Sequence, residues 1–249
     1  MDSLSIVQFV YCGFVIFAAY VVRGTAGFGG GLVAMPLLLM VLPISTVLPV
    51  IAVLNMLSSL QAMRVREHIQ WMELAKLIPP TIVGVLLGWF VFKTIDLDLL
   101  TKFFAAFLIL YALYSLYESK RTKNADGEKM MPKWVLFPVG VIAGFIAMIF
   151  GGAGGGFYAV YLDGRRLPRH QFRATVTTIL LVVSVSRSVG YYQLGFFHQE
   201  TVMLLAAALP LMFLGSWVAN RLLNRMSDLN FRVIISILLI ASGITLFFK

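Results

Sequence analysis

Apolar residues in this chain come in long runs rather than one-sided stripes. The runs are Leu4–Val22, Val47–Met63, Leu77–Phe92, Phe103–Tyr117, Trp134–Phe150, Ala174–Val189, Val202–Ala219 and Val233–Phe248, with polar residues gathered between them. A helix of about 20 apolar residues spans the hydrocarbon of a bilayer. The pattern therefore predicts an all-α polytopic membrane protein. The opening "MDSLSIVQFVYCGF" has no basic n-region, and no small-residue cleavage site follows its apolar stretch. It reads as a retained first helix.

Two shorter apolar pieces, Leu32–Leu42 and Phe157–Leu162, interrupt the series, each behind a cluster of glycines. The clusters lie in "RGTAGFGGGLVAMP" (Arg23–Pro36) and "FGGAGGGFYAVYLDG" (Phe150–Gly164). At an offset of 125 residues Gly29, Gly30 and Gly31 fall on Gly154, Gly155 and Gly156, and Pro43 falls on Pro168. At 127, Gly88-Trp89 meets Gly215-Ser216. Such self-similarity predicts a duplication, a common way of building transporters. The expected parts are a first repeat over residues 1–117, a polar linker over 118–133 ("ESKRTKNADGEKMMPK") and a second repeat over 134–249.

Lys and Arg decide how the glycine clusters are threaded, because cytoplasmic loops carry the excess of both. If each cluster is a kink in a through-going helix, nine basic residues fall on each side, Arg23 and Arg187 being set aside as intramembrane. If each is the tip of a hairpin, one side collects fifteen and the other only Lys93, Lys102 and Lys249. The hairpin reading follows. Each half is then a glycine-tipped helical hairpin plus three transmembrane helices. Three crossings are an odd number, so the halves form an inverted repeat with both termini outside and the linker in the cytoplasm.

Irregular backbone survives at membrane depth only where protein or water surrounds it. The two turns are therefore expected to meet between the halves. Helices restarting there, near Leu32 and Phe157, would present free N–H groups and a positive dipole end, which favour anions. Arg23 and Arg187 add charge at depth, where an arginine is costly and points to function. Polar side chains fall in the same layer: Asn55, Ser58 and Ser59 in one half, Thr177, Thr178, Ser184, Ser186 and Ser188 in the other. The candidate anion site is Arg23, Gly29, Gly30, Gly31, Asn55, Gly154, Gly155, Gly156, Ser184 and Arg187. Gly84/Gly88 and Gly140/Gly144 have the spacing of tight helix packing.

Composition narrows the function. Hydrophobic residues make up 60% and charged residues 12%, against about 25% charged in soluble domains. The net charge of +9 sits in loops, where topology and anionic lipid account for it better than nucleic acid does. No Gly-Lys-Ser/Thr sequence follows the glycines, so they are not a nucleotide loop. No metal-ligand or catalytic motif lies in any run, so neither an enzyme nor a cofactor or metal is expected. Cys12 is the only cysteine and reads as a small buried hydrophobe. The spans hold no Asp or Glu, and His68, His170 and His198 lie near loops. A cationic substrate lacks a counter-ion, and the usual Na⁺ or H⁺ coupling groups are missing. An anion leaving a negative interior gains roughly 2.3 kcal/mol per charge per 100 mV, which favours export.

The pattern "GFGGGLVAMP", repeated as "GGAGGGFYAVYL" without a counterpart of Pro36, resembles the sulfite exporter TauE/SafE family of bacterial and plant membrane proteins. The resemblance extends over nearly the whole chain. It implies transport of sulfite, sulfoacetate-like organosulfonates or a related sulfur anion, and a bacterial inner-membrane location. Alternating access at a midplane site is the leading mechanism, with an anion channel or a permease of another small anion as the alternative. The aromatics Phe157, Tyr158, Tyr161, Tyr191 and Tyr192 suit either a cavity for an organic sulfonate or ordinary packing. Expected partners are a small anion and the bilayer, without nucleic acid, and with a homodimer as an open option.

Overall fold

A computed structural model of the chain describes residues 6–62, 67–121, 132–150, 154–165, 167–222 and 244. Nine α-helices lie among them: α1 (Ile6–Ala26), α2 (Gly30–Leu39), α3 (Ile44–Ala62), α4 (Trp71–Thr94), α5 (Leu97–Arg121), α6 (Leu136–Ile149), α7 (Gly155–Gly164), α8 (Arg169–Gln193) and α9 (Gln199–Leu222). Five of these, α1, α3, α4, α8 and α9, contain stretches long and apolar enough to cross a membrane. The expected span Val233–Phe248 lies outside the described residues, Ile244 excepted, as does most of the expected linker. α5 runs on to Arg121, four residues into that linker.

The outer surface is apolar: Phe14, Phe90, Leu110, Trp134, Phe137 and Tyr192 are all well exposed. In water such a surface would be an aggregation hazard; in lipid it is the solvated face. Polar and charged side chains turn inward instead. Arg23, Asn55, Ser59, Thr81, Thr175, Ser184 and Arg187 are buried.

Missing side chains set the closest helix contacts. A Cβ on Gly84 would strike the carbonyl of Val141, and one on Gly144 the carbonyl of Thr81. Gly88 lies against Met148 and Phe145, and Gly140 against Pro80. The packing expected of these four glycines is thus a backbone-to-backbone seam between α4 and α6, which run side by side in the same direction. α1 and α9 pair likewise, Gly13 beside Leu211, Tyr20 beside Gly215, and Gly24 against Ala219.

Cross-contacts give the directions of the rest. The Tyr11 hydroxyl donates to Leu37 O at 3.2 Å while Gly30 packs on Arg23, so α2 runs back along α1. Tyr158 reaches Thr81 and Tyr161 reaches Glu73, so α7 runs antiparallel to α4 and returns to the end where α4 begins. There Arg165 pairs with Glu73 at 3.1 Å, and Gln70 bonds Gln171 at 2.8 Å. At the far end Gly190 of α8 lies on the Trp89 ring of α4. Helices α4, α6 and α8 therefore run one way, and α1, α3 and α9 the other. The strongest pairings, α4·α6 with α1·α9, α3·α9 with α4·α8, α1·α2 with α6·α7 and α2·α3 with α7·α8, come in matched couples around a central α3·α8 pair. Lys93 stacks on Trp89 and Arg221 on Trp217, a second matched couple, one at the end of α4 and one at the end of α9.

Candidate functional site: two glycine turns and two buried arginines

Gly27 ends α1. Its φ of +83° is left-handed, and its N–H donates to Arg23 O at 2.7 Å, closing the helix as glycine does without a Cβ penalty. Gly29, at φ +88°, starts α2 two residues later. A Cβ there would meet nothing within 4 Å, so the backbone angle, not crowding, demands glycine. Gly30 is the opposite case: a Cβ would sit 2.9 Å from Arg23 Cβ and 3.1 Å from its Cδ. Its bare backbone is what lets the arginine stem pass.

In the second turn, Gly154 O accepts from the N–H groups of Phe157 and Tyr158, so Gly154 begins α7 as Gly29 begins α2. The returning helices thus start at Gly30 and Gly155, two residues before the expected Leu32 and Phe157. Both are ten residues long, and both their ends (Gly30 to Gly155, Leu39 to Gly164) keep the 125-residue offset. The second exceeds the apolar piece Phe157–Leu162 by Gly155 and Gly156 at its start and by Asp163 and Gly164 at its end. At a helix start glycine joins the first turn, where its N–H needs no partner within the helix.

The two turns meet. A Cβ on Gly155 would lie 3.2 Å from Phe28 Cβ and 3.5 Å from Leu180 Cδ1. α8 braces the first turn from the side: Arg173 Nη2 donates to Gly24 O at 2.6 Å and Thr177 Oγ1 to Gly27 O at 3.4 Å. The starts of α2 and α7 are therefore neighbours in the interior, with Gly30, Gly31, Gly155 and Gly156 all buried.

Arg23, 4% exposed, crosses from α1 to α3. Its Nε donates to Ser58 Oγ at 3.2 Å, and its Nη2 to Ser59 Oγ at 2.6 Å and Asn55 O at 3.3 Å. The Asn55 side chain is engaged elsewhere, its Oδ1 accepting from Tyr20 Oη at 3.0 Å. Arg187 is fully buried and held differently. Its Nε and Nη2 lie 3.4 and 3.3 Å from Tyr191 Oη, and that hydroxyl donates to Met148 O at 3.2 Å. Its Nη1 is buried without a partner among the described residues. Neither arginine meets a carboxylate there; Glu73 pairs instead with Arg165 and Lys76. Buried guanidinium charge without a carboxylate partner among the described residues can bind a small anion, and so can the free N–H groups at the start of a helix.

The sequence-predicted residues divide accordingly. Arg23, Gly29, Gly30, Gly31 and Asn55 gather around the first turn, and Gly154, Gly155 and Gly156 form the start of α7. Ser184 is buried one turn before Arg187 on α8. Thr178, Ser186 and Ser188 bond carbonyls of their own helix and take no part. Tyr158 and Tyr161 pack with hydrogen bonds to α4, and Tyr192 faces outward. Tyr20 and Tyr191 escaped the sequence reading as arginine neighbours. Spacings of three and four residues, Tyr20 to Arg23 and Arg187 to Tyr191, were the signal that places each beside its arginine on one helical face.

Comparison with known proteins agrees with this picture. The family model for sulfite exporter TauE/SafE matches residues 12–246. A protein of Comamonas testosteroni described as a probable inner membrane transporter protein TsaS is 26% identical over 185 residues, covering 72% of this chain and 73% of that protein. No solved structure matches.

Proposed function

Since the chain belongs to the sulfite exporter TauE/SafE family of membrane transporters and is not an enzyme, we propose that it exports a small sulfur oxyanion or organosulfonate by alternating access. The anion binds between residues 1–117 and 134–249, two repeats inverted in the membrane and joined by a cytoplasmic linker over 118–133. The matched helix pairings, the opposite directions of α1 and α6, α3 and α8, and α4 and α9, and the uneven split of Lys and Arg all support this arrangement. A bacterial inner membrane, with both termini outside, is the setting it suits.

The observation that carries the reading is the Arg187 guanidinium, fully buried with Nη1 unpartnered among the described residues. A charge in that state is destabilising until an anion or an acceptor completes it. The N–H groups at the starts of α2 and α7 supply further donors from the backbone. Rocking one repeat against the other would expose this layer to each side in turn.

Purified protein screened for thermal stabilisation by sulfite, thiosulfate, sulfate and a two-carbon sulfonate tests the proposal. Stabilisation by at least one sulfur anion is expected. Stabilisation by a cation or a neutral solute alone would overturn it. Cys12 is buried, so an added Lys123→Cys supplies an accessible thiol for the topology; labelling from outside intact cells would contradict a cytoplasmic linker.

A further inference from the structure

Among the described residues, Tyr191 bonds both Arg187 and the last turn of α6, the helix that leads into the second glycine turn. Its phenol has one O–H to donate and two lone pairs to accept with. The donor goes to Met148 O, in the last turn of α6, where carbonyls lack helical partners. The lone pairs face Nε and Nη2 of Arg187. The ring is fixed against Phe92, centroids 5.6 Å apart, and Phe196, 6.0 Å apart, so the hydroxyl has a defined place. The guanidinium is thereby held along one edge, and its Nη1 has no partner among the described residues.

The first half shows what this replaces. At the 125-residue offset Arg23 falls on Met148 and Ser59 on Ser184. Where the first half has an arginine on its hairpin helix bonded to serines on α3, the second has methionine. There the guanidinium comes from α8 instead, and a tyrosine from the same helix bonds it and the Met148 carbonyl. The serines of the first half engage both Nε and Nη2 and tie two helices together. The tyrosine of the second half orients an arginine on its own helix.

Resting on the anion reading above, we propose that Tyr191 is a positioning residue of the transport site: its hydroxyl fixes Arg187 so that Nη1 meets the anion, and ties that arginine to the tip of α6. A hydrogen bond to a charged group is worth enough to change affinity on the order of tenfold.

The test uses the full-length protein with sulfite as probe, measuring Kd by calorimetry and maximal flux in proteoliposomes. Tyr191→Phe keeps the ring and its stacking. It is expected to raise Kd about tenfold while maximal flux changes less than about twofold. In an Arg187→Lys background the same change is expected to have almost no further effect on Kd, because a residue acting through Arg187 is non-additive with it. A purely structural tyrosine would lower thermal stability with Kd unchanged, or add its effect fully in the lysine background; either result overturns the proposal. If Arg187→Ala abolishes sulfite binding but Tyr191→Phe leaves Kd unaltered, Tyr191 is excluded and the anion reading stands. If the wild type binds none of sulfite, thiosulfate or a two-carbon sulfonate, the anion reading falls and this inference with it.

Discussion

Arg23 and Arg187 are both buried guanidiniums in a membrane protein, yet their surroundings differ in kind. Arg23 is engaged at Nε and Nη2 by three neutral oxygens of α3. Among the described residues, Arg187 rests on a single phenol oxygen and keeps Nη1 open. The first arrangement resembles a strut: it fixes α1, the first turn and α3 as one unit. The second is incomplete without something negative. Burial of a charge alone therefore does not mark a ligand contact; an unmet donor on a guanidinium with no carboxylate partner does, whereas Arg165, with Nε and Nη1 also unmet, is already neutralised by Glu73.

That contrast can be broken by five substitutions, the largest expected effect first and the two glycines compared at the end. Arg187→Ala is expected to weaken sulfite binding about a thousandfold, in the range for removing a buried charged contact, with a smaller loss of thermal stability than Arg23→Ala, because removing the unpaired charge offsets the lost packing. Titration and melting of the same sample check both halves of that statement. Arg23→Ala is expected to do the reverse. Losing three hydrogen bonds and the packed stem costs about 3 kcal/mol of stability, and transport should fall in proportion to folded protein, with Kd little changed in what remains. Ser59→Ala removes the shortest of the Arg23 bonds, 2.6 Å, and is expected to cost about 1.5 kcal/mol, read as a lower melting temperature with an unaltered Kd. Gly29→Ala is the mildest. The space is open and only the left-handed backbone resists, so a loss of about 1 kcal/mol is expected. Gly30→Ala, whose methyl would press on the Arg23 stem at 2.9 Å, should exceed it.

Much of this was legible in the sequence because lipid leaves few options. Long apolar runs must be helices, and the described spans follow the runs with modest changes at their ends. The glycine clusters stood out against that background. Counting Lys and Arg around them led to hairpins, and the α1–α2 and α6–α7 pairs do run back on themselves. The spacing of Gly84, Gly88, Gly140 and Gly144 carried the α4–α6 seam. Less visible was anything that depends on which helices become neighbours. Ser58 and Ser59 stood out only as polar residues of the same layer; that Arg23 bonds both follows from α1 lying beside α3. Asn55, too, faces Tyr20, a partner 35 residues away in sequence. The helix starts were misplaced by two residues because glycine is a poor helix interior and a good helix beginning, and composition alone does not distinguish the two. Tyr191 was legible in hindsight, four residues from Arg187, but its second bond, to a backbone carbonyl on α6, leaves no trace in sequence.

The central claim is that a small sulfur anion binds where Arg187 leaves its donor open. Calorimetric titration of sulfite into wild-type and Arg187→Ala protein tests it most directly. The account predicts saturable binding to the wild type and none measurable to the variant at the same concentrations. Equal binding by both proteins would contradict it.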